Sequence, residues 1–247
     1  MNNPLPPSVA GAGISQPVRI GHSNDPTPVP SRFPRHSTRN LKRLLDGLAS
    51  CPAPHLLDLG RLCDQNIEWL IHHRCKVTVD DRITPVKPQP PPPASSPRSR
   101  SSARRIPHGP IPMPSAKEAP PVVALDLQQP ADSFDAILCW DLLDYFDLSG
   151  ARQVLQQLVT LLKPRGFLLA MFNCDHAAAR IAVRYRIAGA ELLEYEPLPL
   201  AHSPGRAYEN REIQELFERF DLINSCFLPN QMREILVQKR PPRSPRS

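Results

Sequence analysis

The chain has 247 residues, with 30 Lys and Arg against 24 Asp and Glu, 32 prolines, and hydrophobic residues making up 40%. That length suits one domain of roughly 150 to 200 residues plus appendages, and no stretch approaches the about 18 uninterrupted apolar residues that a membrane-spanning helix needs. Cysteines stand singly at 51, 63, 75, 139, 174 and 226 with no CxxC pair, which argues against a zinc cluster, and no metal site is expected.

The opening Met1-Asn2-Asn3-Pro4 lacks a charged region followed by an apolar run, so no signal peptide is expected and a reducing, cytoplasmic setting fits. The net charge of +6 is unevenly placed. Eight prolines fall in 1–37 and thirteen in 82–121, and these segments are too poor in apolar periodicity to supply a core. Segment 82–121 carries seven Lys/Arg and one acid, 1–37 three and one, and 239–247 four and none, leaving 16 basic against 22 acidic residues elsewhere. The basic excess therefore belongs to segments expected to be disordered. Nucleic-acid contact is expected only weakly, through them, and a basic groove on the folded part is not expected.

In chain order, 1–37 reads as a disordered Pro-rich tail. A helix follows over about 39–49, with Ser37 or Thr38 as cap and Leu41, Leu44, Leu45 and Leu48 on one stripe. HLLDLG at 55–60 is a short strand stopped by Gly60. Residues 65–74 are helical, with Asp64 as expected N-cap, and KVTVD at 76–80 is a second strand. This β-α-β run implies a parallel sheet with a right-handed crossover. Residues 82–121, with four consecutive prolines at 90–93, read as a disordered Pro/Arg/Ser-rich insertion. Strands resume at 122–127 and 135–140. A helix over about 149–163 leads to a strand at 167–172. After a mixed segment come a helix over about 210–219 and two strands near 221–228 and 233–239, close enough for an antiparallel pair. The division expected is a domain made of 38–81 and 122–239, with 240–247 as a basic tail.

Four stretches resemble the class I S-adenosylmethionine-dependent methyltransferases, especially the type 11 domain. HLLDLG, with Asp58 and Gly60, is similar to the family's first strand and the opening of its cofactor loop. Asp80 falls where the family places an acid on the ribose hydroxyls. LDLQQPADSFDAILCWDLLDYF resembles the link from third to fourth strand, and LLKPRGFLLAMF resembles the entry into strand five, with Arg165 in place of a glycine. The resemblance implies a Rossmann-like α/β fold: a seven-stranded, mostly parallel sheet with flanking helices and an antiparallel C-terminal hairpin. It also implies S-adenosylmethionine as cofactor, with contacts from Asp58, Gly60, Asp80, Asp126, Leu127 and Trp140. Methyl transfer would go to an unidentified acceptor, with Asp141 on the acceptor side.

Independently of the resemblance, open α/β sheets bind ligands outside the carboxyl ends of their strands, where strand order reverses. Asp58, Asp80, Asp126 and Asp141 all fall at or near such ends. After Gly60 the chain reads Arg61, Leu62, Cys63, Asp64, so Leu62 and Asp64 stand at the family's second and third glycine positions. Leu62 is expected to occlude the methionine part of the cofactor or to push the loop outward. That departure keeps open a non-catalytic pseudo-methyltransferase acting as a binding or scaffold protein. A nicotinamide-dependent oxidoreductase is disfavoured by the absent GxGxxG. His72 and His73 read as a helix terminus and His176 as a loop residue. Arg184, Tyr185, Arg186, Arg206 and Tyr208 are either a solvated face or a site for an anionic acceptor.

Overall fold

A computed structural model describes residues 32–81, 84–86, 122–124, 127–175, 181–198, 206–228 and 231–241. Most of the segments expected to be disordered, 1–31, 87–121 and 242–247, lie outside the described residues, and so do Asp126 and His176.

The elements in chain order are β1 (Arg35–Ser37), α1 (Asn40–Leu48), β2 (His55–Asp58), α2 (Asp64–His72), β3 (Lys76–Val79), β4 (Thr84–Val86), β5 (Val122–Ala124) and β6 (Phe134–Trp140). A 3-10 turn (Leu142–Tyr145), α3 (Leu148–Leu161), β7 (Leu162–Asn173), β8 (Val183–Gly189), β9 (Leu192–Pro197), α4 (Asn210–Leu216), β10 (Phe220–Phe227) and β11 (Met232–Lys239) follow.

The main sheet has the order β10-β11-β7-β6-β2-β3. β3, β2, β6 and β7 run parallel, and β11 and β10 close one edge antiparallel. This is the Rossmann-like, mostly parallel sheet with a C-terminal hairpin that the sequence leads one to expect, but it has six strands, not seven. In the stretch expected to supply another parallel strand, 122–127, the described residues form a strand at Val122–Ala124. That strand pairs with Thr84–Val86 in a separate two-stranded antiparallel ladder. A strand returning parallel to β3 needs a crossover connection, whereas an antiparallel pair does not.

The register of that ladder sets Val86 opposite Val122. Residues 86 and 122 are therefore direct partners, as the two residues that flank a hairpin connection are. Replacing 87–121 by Asn-Gly, the favoured two-residue connection, is expected to keep the fold. Shortening the loop by roughly four doublings should stabilise the protein by about 2 kcal/mol. Thermal unfolding measures this; loss of a cooperative transition would contradict it.

β6 and β7 are buried on both faces, which explains their near-continuous apolar sequence. Successive residues alternate between two cores. Leu168, Ala170 and Phe172 face α3 and α4, whereas Leu169 and Met171 face α1, α2 and a third sheet of order β1-β9-β8. That third sheet corrects two expectations. β1 lies inside the supposed tail, held antiparallel to β9 and by Tyr195 N donating to Pro34 O at 3.0 Å. The mixed segment after β7 contains the β8–β9 hairpin. Its period-two signal was present in Val183, Tyr185 and Ile187 alternating with Arg184 and Arg186.

Arg39 stands at the cap position of α1 in place of the expected Ser37 or Thr38; Thr38, one residue earlier, still accepts from Leu41 N at 3.4 Å through its Oγ1, and its hydroxyl donates to the buried Glu234 of β11. Burial pushes the Glu234 carboxyl above the usual carboxylate range, against the bonds it accepts from Thr38, Cys226 and the first amides of the helix. Asp64 opens α2 as its first residue, with Cys63 at the cap position in place of the expected Asp64. Arg165, standing where the resemblance expects glycine, takes a left-handed φ of 65°, a conformation that glycine adopts without steric penalty.

Candidate functional site

Strand order reverses between β2 and β6: the chain passes from β2 outward to β3, then returns to the other side of β2 with β6. The carboxyl ends of β2 and β6 carry Asp58 and Trp140, so these two residues stand where open α/β sheets generally place their ligand crevice. Asp58 is 2% exposed. Its Oδ1 accepts from Gly60 N at 2.8 Å and from Trp140 Nε1 at 2.7 Å. Burial drives its carboxyl above the ordinary range, opposed by the bonds from Trp140, Gly60 and the Asn66 amide.

The Trp140 indole lies directly on Gly60. A Cβ built on that glycine would stand 2.6 Å from Trp140 Cδ1 and 2.7 Å from Nε1, so only glycine fits. Trp140 itself is 1% exposed and stacks on Tyr185 of β8, with centroids 5.1 Å apart and planes 7° from parallel. Its φ is 47°, at a shift of register between Leu138 and Trp140 in the β6–β7 pairing. Bulges of this kind re-aim a side chain.

Leu62, by contrast, is 51% exposed. Its side chain faces solvent, so Leu62 is not what fills the space over the loop, as was expected; an aromatic ring from another strand lies there instead. Nothing in the spacing of the loop glycines could have signalled that. The useful signal was a large aromatic at the end of a buried strand, beside an acid-glycine pair.

Asp80, just past β3, is buried and bound to its neighbour strand, its N donating to Asp58 O at 2.9 Å. Asp58 and Asp80 are thus brought together at adjacent strand ends. Leu127 is half-buried, packed on the opposite core, that of α3 and α4. Asp141 follows Trp140 and is buried, with its carbonyl accepting from Asp144 N at 3.1 Å at the start of the 3-10 turn.

Asp144, which no sequence pattern singled out, is buried beside β7, its Oδ2 accepting from Asn173 N at 2.9 Å. Asn173 in turn receives Asp175 N at 3.0 Å and donates to Asp175 O at 3.1 Å. This arrangement pins the carboxyl end of β7 to the turn after β6.

The cationic residues after β7 do not form an open anion site. Arg184 and Arg186 each reach Glu196, at 3.1 and 3.2 Å, and Arg206 pairs with Glu212 at 2.5 Å. Tyr208 is buried, its hydroxyl shared between Leu143 O at 2.9 Å and Phe146 O at 2.8 Å. Among the described residues no group of three or more His, Cys, Asp or Glu side chains is placed to hold a metal ion, and no helix is long and apolar enough to cross a membrane.

No family model matches the sequence, and no curated protein matches it. Solved structures do resemble it. One is the 1,6-didemethyltoxoflavin-N1-methyltransferase of Burkholderia thailandensis, whose structure holds 1,6-didemethyltoxoflavin and S-adenosylhomocysteine. The similarity has a TM-score of 0.43 at 16% identity, over 82% of this chain and 77% of that one. A SAM-dependent methyltransferase from Aquifex aeolicus gives 0.40 at 10% identity over 81% and 89%. One from Methanosarcina mazei gives 0.39 at 10% over 77% and 94%.

Proposed function

We propose that the chain is an S-adenosylmethionine-dependent methyltransferase-type protein acting on an unidentified acceptor. The observation that carries this reading is the pair of buried carboxylates, Asp58 and Asp80, at the ends of adjacent parallel strands beside the switch in strand order. Paired ribose hydroxyls are natural donors to one strand-end carboxylate, and an ammonium group is a natural donor to the other. The acceptor-side role of Asp141 and the adenine-side roles of Asp126 and Leu127 belong to the same proposal, as does Trp140 on the cofactor side.

The chemistry of these groups suits the cofactor; the room does not. With the indole seated on Gly60 and bonded to Asp58, the place of the cofactor's amino-acid part is filled, and no step of methyl transfer is derived through it. That packing is also the specific observation in favour of the second reading, a non-catalytic methyltransferase-fold protein that binds a partner.

Calorimetric titration of the full chain with S-adenosylmethionine and S-adenosylhomocysteine tests the first reading. The expected result is weak but saturable binding that drops about tenfold or more in Asp80→Ala, the loss of a hydrogen bond to a charged group. Unchanged affinity in that variant would overturn the placement of the ribose. No binding at all would favour the non-catalytic protein.

A further inference from the structure

We infer that Trp140 is an internal occupant of the cofactor's place, and that its indole has to swing out before the amino-acid part of a sulfonium nucleoside can enter. The inference rests on the cofactor reading proposed above and adds to it a gate.

Three features carry it. The indole is the group that approaches the Gly60 backbone, 2.6 Å from where a Cβ would be; a loop glycine after the first strand of such a sheet serves close approach by a ligand. The indole N–H is the donor to Asp58 Oδ1, at 2.7 Å, the bond that an incoming ammonium would make, so occupant and ligand compete for one carboxylate oxygen. Finally, the backbone under the indole is a left-handed non-glycine residue, φ 47°, at a break in strand register. That conformation is unfavourable for a residue bearing a Cβ, so the plugged arrangement is held by its contacts rather than by local preference.

The outer side of the indole rests on Tyr185. The strand carrying Tyr185 is joined to α2 through Asn66, which donates to Tyr185 O at 2.8 Å and accepts from Ile187 N at 2.7 Å. Opening therefore requires either a rotamer change at Trp140 or a lift of the β8–β9 hairpin away from α2.

The chain has two tryptophans, so the full-length Trp69→Phe protein reports on Trp140 alone. Titrated with S-adenosylhomocysteine, its emission is expected to shift to the red as a buried indole enters water. In parallel, calorimetry on Trp140→Gly, which removes the occupant and suits the left-handed backbone, is expected to show binding at least tenfold tighter than wild type. If circular dichroism finds Trp140→Gly unfolded, Trp140→Phe takes its place. It keeps the ring and loses the donor to Asp58, and a gain of several-fold is expected. Equal or weaker affinity in the variant, or saturable binding with no change in Trp140 emission, would overturn the gate and leave the cofactor reading standing. Absence of binding by every folded protein would remove both.

Discussion

Asn66→Leu is expected to lower the free energy of unfolding by about 2–6 kcal/mol, because it strands two buried backbone groups, each costing about 1–3 kcal/mol when left without a partner. Asn66 is 1% exposed. Its amide spans two residues of β8, donating to Tyr185 O and accepting from Ile187 N, and so behaves like one more rung of a ladder on a strand that has no neighbour on that side among the described residues. Leucine matches its size and can make neither bond. Gln65, alongside, also donates to Ile187 O at 2.7 Å, but this bond does not replace either of the two lost. Urea denaturation measures the loss, and amide hydrogen exchange locates it. Exchange in β8 and β9 should accelerate more than in β6 and β7, since the small sheet loses two of its bonds to α2 while the main sheet keeps all of its ladder. A uniform acceleration would mean that the two sheets unfold as one unit.

Gly60→Ala is expected to cost about 1–3 kcal/mol, the usual penalty for forcing an extra methyl group into a filled space. The new Cβ would meet Trp140 at 2.6 Å and Asp58 Oδ1 at 3.0 Å. Neither is the loose end of a flexible chain: the indole is clamped between Gly60 and Tyr185, and the carboxylate is fixed by its two donors. Relief has to come from displacement of the ring. The sharper measurement is therefore a double-mutant cycle. In the Trp140→Gly background the same alanine meets open space on the ring side, and its cost should fall to within about 0.5 kcal/mol of zero. A penalty unchanged by removal of the indole would show that the strain originates in the loop backbone.

The sequence conveyed the sheet well where its signals were local. Continuous apolar runs bounded by turns placed β2, β6 and β7 within a few residues, and the leucine stripe placed α1 on its buried face. It failed where pairing decides the outcome. Val122–Ala124 reads as a strand in either sheet, and nothing local to it says that Thr84–Val86, rather than β3, is its partner. β1 is three residues long and stands in a proline-rich stretch; only β9, far along the chain, makes it a strand. At the candidate site, the places of Asp58, Gly60 and Asp80 just at or after strand ends were legible from the apolar runs before them, whereas the roles given to them rest on the resemblance, since Asp and Gly also favour turns. The filling of the crevice was not. Leu62 is the suspect from sequence, being the residue at the expected glycine position, yet one backbone rotation turns it to solvent. Trp140 occupies the space instead, brought there by a bulge that leaves no trace in the composition of β6.

The pairing of β1 with β9 sets a timetable. Arg35 bonds to Glu194 across 159 positions of sequence, through the strand ladder and an ion pair at 2.9 Å. At a synthesis rate of about 5–20 residues per second, the first strand waits on the order of 10–30 s for its partner to emerge. Thr38 waits longer still for Glu234. During that interval Leu41 and Leu44 have nothing to bury them fully, because the surface that covers them includes strands made in the second half of the chain. Codon changes that slow translation between 49 and 192 would lengthen that exposure without altering a single residue.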